Sequence, residues 1–397
     1  MIKLATAKEI QEIDRRAEKK YGIPSLLSME TAGINAADLL VERFWKNRTP
    51  AGPFVFLAGK GNNGGDAFVM ARRFFLTGKK NCAIILAQGA PADDADPGVN
   101  LAVCRSLDIP VCSLPEDPDL SWRLLEAAEV VFDGLAGTGL RGALREPLAG
   151  LVGRLNSLDV MRVAIDVPSG LGDEFQAGQP ILNAQVTLTM GLPKRALFLP
   201  AARAACGRII TVPLCYPSAL IEDSALRGEL LDHDDLQSLL PRLPASAHKN
   251  TRGHLAVFAG AVGTTGAAIL AATAAARART GLVTIFTDPE AYPLLASHVV
   301  SVMARPVTAA SLDKKNLEAR FRALLLGPGF GLTDSKKALM KSLLTVQLPL
   351  LIDADGLTLL AGLDPRDVRG REQSLILTPH PGECARLLDL SLSLIHI

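Results

Sequence analysis

Short apolar runs without charge recur along this chain, each closing on Gly, Asn or Asp, with amphipathic stretches between them. Phe54 to Ala58 is the clearest of these runs: five apolar residues predict a strand buried on both faces of a parallel sheet. Gly59-Lys-Gly-Asn-Asn-Gly-Gly-Asp66 follows as a tight turn, and Ala67 to Leu76 then reads as a helix that Gly78 stops. Upstream, Thr6 and Glu9 form a capping box, and Ile10, Ile13, Ala17 and Tyr21 repeat at helical spacing. Gly22-Ile-Pro24 breaks that first helix. A second one, from about Leu26 to Phe44, carries Met29, Ala32, Ala36, Leu39 and Leu40 on one face. Neither helix shows obvious chemistry, and both are expected to pack on the sheet or at a dimer contact.

The alternation continues with a strand at Cys82 to Ala87 and a helix at Val99 to Leu107. A loop containing Pro115 and Pro118 leads to a helix from Leu120 to Ala128. Val130 to Phe132 runs into Asp133 and a second Gly-rich turn, Gly134 to Gly139; a helix begins at Pro147. Val163 to Ile165 runs into Asp166-Val-Pro-Ser-Gly170, and Val186 to Met190 into Gly191-Leu-Pro-Lys194. Alternating strands and helices imply parallel strands joined by right-handed crossovers. Their C-terminal ends then lie along one edge, where open α/β sheets bind ligands. Asn63, Asp133, Asp166, Ser169 and Lys194 all follow strand ends and should therefore meet in one crevice.

Pro213, Pro217, the acidic run Asp232 to Asp235, Pro241 and Pro244 mark a boundary, past which the pattern restarts. His254 to Ala259 leads into Gly260 to Gly266 and an Ala-rich helix, Ala267 to Arg279. Ala323 to Leu326 leads into Gly327-Pro-Gly-Phe-Gly331, and Leu350 to Ile352 into Asp353-Ala-Asp-Gly356. Ser374 to Leu377 leads into Thr378-Pro-His-Pro-Gly-Glu383. A second α/β domain with its own crevice is expected.

Composition narrows the partners. The 397 residues carry 42 Lys and Arg against 41 Asp and Glu, a net charge of +1, with no basic stripe interleaved with aromatics. Nucleic acid is therefore not an expected partner. The six Cys form no C-x-x-C pair and the His residues have no metal-ligand spacing, so neither a zinc site nor a disulfide framework is expected, and reduced cytosol fits better. No apolar run reaches about 18 residues, so no membrane span is expected, and the charged N-terminus does not read as a signal peptide. A cytoplasmic location is the expectation. The first Gly turn matches G-x-G-x-x-G at Gly59, Gly61 and Gly64, but the next strand ends at Gln88, where a dinucleotide fingerprint places an acidic residue.

With these pieces in order, the chain resembles the bifunctional NAD(P)H-hydrate repair enzymes, an epimerase domain followed by an ADP-dependent dehydratase domain. In the first half the resemblance rests on Gly61-Asn62-Asn-Gly-Gly-Asp66, Asp133 with Gly137-Thr-Gly139, Asp166-Val-Pro-Ser-Gly170 and Gly191-Leu-Pro-Lys194. It implies a Rossmann-like three-layer domain with a mainly parallel sheet over residues 1–225, then a linker over 226–245. It further implies that Asn62, Asn63, Gly64, Gly65, Asp66, Gly137, Thr138, Gly139, Leu140, Arg141, Gly142, Ala143 and Asp166 bind hydrated NADH or NADPH. Asn63, Asp133 and Ser169 would ligate a potassium ion. Asp133 and Lys194 are the choices for proton transfer at the hydroxyl. Gly134, Ala136 and Ala67 depart from the family's usual residues without removing a polar group.

In the second half, Lys249-Asn-Thr-Arg-Gly-His254, Gly327-Pro-Gly-Phe-Gly331, Asp353-Ala-Asp-Gly356 and Thr378-Pro-His-Pro-Gly-Glu383 are similar to the dehydratase, a ribokinase-like α/β fold, here incomplete over residues 246–391. Ala267, Gly331 and His380 would touch the hydrated nucleotide, and ADP or ATP would serve a complete dehydratase domain. A Lys-Gly turn for the adenine nucleotide and a Gly-Gly-x-Gly-Asp turn with the catalytic Asp, both usual in the family, do not occur in these residues. The expectation is an epimerase without dehydratase activity, a homo-oligomer, with residues 392–397 a foreign tail. The rival readings are a nucleotide-binding module without catalysis and a fragment of a ribokinase-like small-molecule kinase.

Overall fold

The structure, a computed structural model, describes residues 1–46, 50–222, 224–240, 242–369 and 371–391. The stretch 392–397, expected to be foreign, lies outside the described residues. The chain forms two compact units, Met1–Leu240 and Pro241–Ile397.

The first unit runs β1 (Ile2–Leu4), α1 (Ala7–Tyr21), α2 (Ser25–Leu40), β2 (Phe54–Ala58), α3 (Asn62–Leu76), β3 (Cys82–Leu86), α4 (Asp96–Ser106), β4 (Val111–Ser113) and α5 (Pro118–Ala127). It continues with β5 (Val130–Gly134), α6 (Leu148–Asn156), β6 (Met161–Ile165), β7 (Val186–Met190), β8 (Arg208–Val212), α7 (Ser218–Glu222), β9 (Gly228–Leu230) and α8 (His233–Leu239). Seven of these strands form one parallel sheet in the order β4-β3-β2-β5-β6-β7-β8. The winding reverses between β2 and β5, so the turns after those two strands diverge and leave a crevice.

Apolar side chains fill both faces of that sheet. Phe56 and Phe132 stack at 4.3 Å, and Phe54 meets Phe74 edge-on at 5.2 Å. Each such ring buried contributes about 1.5–3 kcal/mol, and together they lock β2, β5 and α3 in one register. α1 opens with the capping box of Thr6 and Glu9 and ends on Gly22 in the left-handed region (φ 66°). α2 passes at Val41 into a π-helical turn, Val41–Trp45, so regular helix stops short of Phe44. α3 begins five residues before the expected Ala67, at Asn62, so the Asn-Asn-Gly-Gly-Asp stretch is helical first turn and not loop. The loop expected before Pro115 contains β4.

Residues 226–245, expected as a linker, hold β9 and α8; β9 pairs antiparallel with β1, Ile2 opposite Leu230. From β1 the chain goes on to pair with the Lys194 segment. Ala5 N–H donates to the Pro193 carbonyl at 3.1 Å, and Arg195 N–H to the Ala5 carbonyl at 2.9 Å.

The second unit runs β10 (His254–Phe258), α9 (Thr265–Arg277), β11 (Leu282–Thr287), α10 (Tyr292–His298), β12 (Met303–Pro306), α11 (Lys314–Arg320) and β13 (Ala323–Leu326). It continues with α12 (Asp334–Leu344), β14 (Leu350–Ile352), α13 (Asp355–Ala361), α14 (Arg366–Arg369), β15 (Leu375–Leu377) and α15 (Pro381–Leu388). Its six strands are all parallel, in the order β12-β11-β10-β13-β14-β15.

Candidate active site

At the reversal point of the first sheet lies a cavity of about 570 Å³. Its walls are Gly61, Asn62, Asn63 and Asp66 at the start of α3, the segment Leu135 to Leu140, Asp166, Met190 and Lys194, closed by residues of α1 and α2 and by Leu214 and Tyr216. The volume lies within the range of small-molecule sites.

The two Gly turns owe their path to steric limits. A Cβ on Gly64 would collide with the Gly59 carbonyl oxygen, and one on Gly59 with the Leu135 carbonyl oxygen. Only Gly lets the end of β2, the first turn of α3 and the end of β5 approach this closely. The N-terminus of α3, with its positive dipole end and unpaired N–H groups, therefore faces the cavity.

Asp166 follows β6 with φ 67°, a left-handed conformation that few non-Gly residues adopt. The strain is held by bonds on either side: its N–H donates to the Leu188 carbonyl at 2.8 Å, and its Oδ1 accepts from Met190 N–H at 3.2 Å. The same oxygen forms an ion pair with Lys194 Nζ, which also donates to the Met190 carbonyl at 2.6 Å. Lys194 is 1% exposed. A buried ammonium persists only with such partners, so the lysine is fixed with its charge at the cavity wall.

Asp66, on α3, faces the same space. Burial pushes its carboxyl well above the usual range, the Asp166 charge adds to this, and Lys194 opposes it. Asp14, on α1, lines the cavity and accepts a hydrogen bond from the Tyr216 hydroxyl. Burial raises the Asp14 carboxyl above its ordinary value, and the Tyr216 bond opposes the rise. Three carboxyl groups thus surround one ammonium.

Asp133 is fully buried and does not line the cavity. Its Oδ1 accepts from Ser169 Oγ–H at 2.6 Å and Leu135 N–H at 3.2 Å, and its Oδ2 from Ser169 N–H at 2.8 Å. Burial pushes this carboxyl up to about 6 against the pull of those bonds. Lys194, chosen together with Asp133 for the chemistry at the hydroxyl, is paired with Asp166. Asn63 is buried with neither side-chain Oδ1 nor Nδ2 hydrogen-bonded, and its amide packs where a Cβ on Gly137 would sit at 3.2 Å. An orphaned buried amide oxygen beside the Gly137 turn suits a hard cation, as do the oxygens of Asp133 and Ser169.

Of the other expected residues, Asn62, Gly137, Thr138, Gly139 and Leu140 line the cavity, whereas Arg141, Gly142 and Ala143 are not part of its wall. Gly65 is packed against Met29, where a Cβ would strike the thioether. Asp14 and Tyr216 are the site residues that sequence reasoning missed. Asp14 shares a helical stripe with Ile10 and Glu18, both in the wall, and that i, i+4 spacing is the one available signal. Nothing local says that the stripe faces a cavity and not solvent.

In the second unit, Ala267 lies in the first turn of α9 and Gly331 has φ 88°, its N–H donating to Asp355 Oδ2 at 2.8 Å. These two follow neighbouring strands, β10 and β13. His380 caps α15, accepting from Gly382 N–H at 3.1 Å, after β15. β15 stands two strands beyond β13, roughly 10 Å away at the usual spacing.

Comparison with known proteins agrees with this division. Residues 27–196 match a family model described as YjeF-related protein N-terminus, and residues 255–396 one described as NAD(P)H-hydrate dehydratase. The bifunctional NAD(P)H-hydrate repair enzyme of Coxiella burnetii is 34% identical over 97% of this chain and 75% of its own length. That of Moorella thermoacetica is 34% identical over 97% of this chain and 74% of its own. Among solved structures, yeast ynu0 is similar with a TM-score of 0.50 at 22% identity, over 59% of this chain and 98% of that one, a likeness of fold alone.

Proposed function

As the chain belongs to the family of bifunctional NAD(P)H-hydrate repair enzymes, we propose that its first unit interconverts the R and S forms of hydrated NADH and NADPH in the cavity at the sheet's reversal point. The observation that carries this is the buried Lys194 ammonium, held by Asp166 and the Met190 carbonyl at the wall of a cavity flanked by two Gly turns. The hydrated ring carries its hydroxyl on C6, beside the ring nitrogen. Lys194 gives a proton to that hydroxyl as the C–O bond breaks, and the ring-nitrogen lone pair forms the iminium. Water re-adds to the other face, and its proton returns to the Lys194 amine through Asp66, which passes one proton on for each it takes. Asp166 holds the lysine, and the α3 N-terminus and the Gly137–Leu140 segment hold the nucleotide.

Asn63, Asp133 and Ser169 would hold a potassium ion, whose charge would offset that of the buried Asp133 carboxylate. The unpartnered Asn63 amide supports this ligand set. Asp133 then acts on the pocket wall through Ser169 and Leu135, not on the ring.

The test is the rate at which separated R and S hydrates equilibrate, corrected for the uncatalysed reaction. Lys194→Ala should lose about 10²-fold or more, the scale for a positioned acid or base; it should also melt earlier, since Asp166 is left buried without its partner, so the rate is read at a temperature where circular dichroism shows the variant folded. Unchanged turnover in Lys194→Ala and in Asp66→Asn would sink the assignment.

The family is ADP- or ATP-dependent in its dehydratase half, and residues 255–396 match that half. We read Ala267, Gly331 and His380 as its contacts with the hydrated nucleotide. The finer reading is that a polypeptide of these 397 residues epimerises but does not dehydrate, since neither Gly turn usual for the adenine nucleotide and catalytic Asp is among them. ADP-dependent recovery of NADH from the S hydrate decides it, and clear recovery overturns that reading. A cytoplasmic homo-oligomer belongs to the same proposal, with light scattering as its check; among the described residues no helix is long and apolar enough to cross a membrane.

A further inference from the structure

The second unit holds a cavity of about 190 Å³ between the sheet face of β10–β12 and α11. It opens beside His254, at the end of β10 opposite the Gly260 turn. His254 Nε2 lies 2.8 Å from Oγ1 of the buried Thr284. The imidazole packs 4.1 Å from the Phe321 ring, and Phe286 meets Phe321 edge-on at 5.7 Å. Arg305, from β12, and Arg320, from the end of α11, line the rim. Both are close enough for their charges to add to burial in pulling the His254 pKa down. Among the described residues neither guanidinium has a hydrogen bond, ion pair or ring partner. Asp313, the one carboxylate in the wall, is occupied in capping α11, accepting from Asn316 N–H at 3.1 Å.

We propose that this cavity binds a small aromatic carboxylate. Two forked guanidinium groups without an ion-pair partner among the described residues match a carboxylate's two oxygens, a geometry that Arg provides and Lys does not. The walls of Phe286, Phe321 and His254 offer ring faces and edges against which a planar ring packs. The volume falls below the usual range for drug-sized and cofactor ligands, so a single ring fits and a dinucleotide does not. The His254 imidazole, already hydrogen-bonded to Thr284, meets the ring by packing alone.

Benzoate is the probe, added to the full chain labelled with ¹³C-histidine, and the readout is the His254 ring resonance, identified by its loss in His254→Gln. Benzoate should shift that resonance saturably with a dissociation constant in the millimolar range or tighter. Neutral benzamide should bind at least about tenfold more weakly, and the Arg305→Gln, Arg320→Gln double variant should lose a similar factor. Arg305→Lys, which keeps the charge without the fork, should lose less. Both arginines are exposed, so the double variant should keep the parent's melting curve. Were it to melt early, the benzamide comparison on the parent chain would still decide. No saturable shift, equal binding of benzamide, or inorganic phosphate binding as tightly as benzoate would each overturn the proposal.

Discussion

A single carboxyl group, Asp133, gives the most direct physical test of the site. Its folded-state pKa of about 6 stands above the ordinary carboxylate value of 3.8 because burial penalises the charged form. The folded protein therefore holds that proton more tightly than the unfolded chain. The stability it contributes is fully present below about pH 4 and lost as pH rises through about 6. The gap corresponds to on the order of 3 kcal/mol. Asp66 is shifted in the same direction, so the comparison must be against Asp133→Asn, which cannot titrate. In potassium-free buffer the melting-temperature difference between parent and Asp133→Asn should swing against the parent between pH 4 and 7. Potassium should reverse most of that swing above pH 6, and lithium less. A flat difference, or no ion dependence, would remove Asp133 from the cation site. Asp133, Asp166 and Lys194 were legible beforehand because each follows an uncharged apolar run, and a polar residue there ends at a sheet edge. The partner of Lys194 was not legible: Asp133 and Asp166 both follow an apolar run in the sequence, but Asp133 lies within β5 and Asp166 just past the end of β6, in a left-handed turn.

Among elements, the β2–α3 unit carries the sharpest expectation. Gly64→Ala places a methyl group against the Gly59 carbonyl, and overpacking of this kind costs about 1–3 kcal/mol. Gly139→Ala, in the other cavity turn, meets nothing within 4 Å. Thermal melts should therefore separate the pair, with Gly64→Ala several degrees lower and Gly139→Ala near the parent; equal melts would deny the close approach of the turns. Strand positions buried on both faces were readable from composition alone, as Val186–Met190 and Leu350–Ile352 show. β4 was not, being three half-buried residues beside Pro115. β8, Arg-Ile-Ile-Thr-Val, is an edge strand whose side chains are mostly half-exposed or exposed, so its apolar run is weak. α1 was legible as a helix but not as a wall of the cavity, because an amphipathic helix shows the same polar stripe whether it faces water or a ligand.

For the whole molecule, two units with separate cores lead to an expectation about the first alone. Residues 1–240 should melt cooperatively and epimerise the hydrate within a few-fold of the full chain. Residues 1–225 should do worse on both counts, because they lack β9, which pairs with β1 and through it supports the Ala5 contact with the Lys194 segment. Circular dichroism and the equilibration assay check both fragments, and equal behaviour would make β9 dispensable. The same ribbon has a practical consequence for anyone handling the protein. The α-amine of Met1 is paired with Asp235, and only Met1 to Leu4 separate it from Ala5, which bridges to Lys194. An affinity tag fused there trades that ammonium for an amide and tethers a mobile mass to the strand that steadies the site.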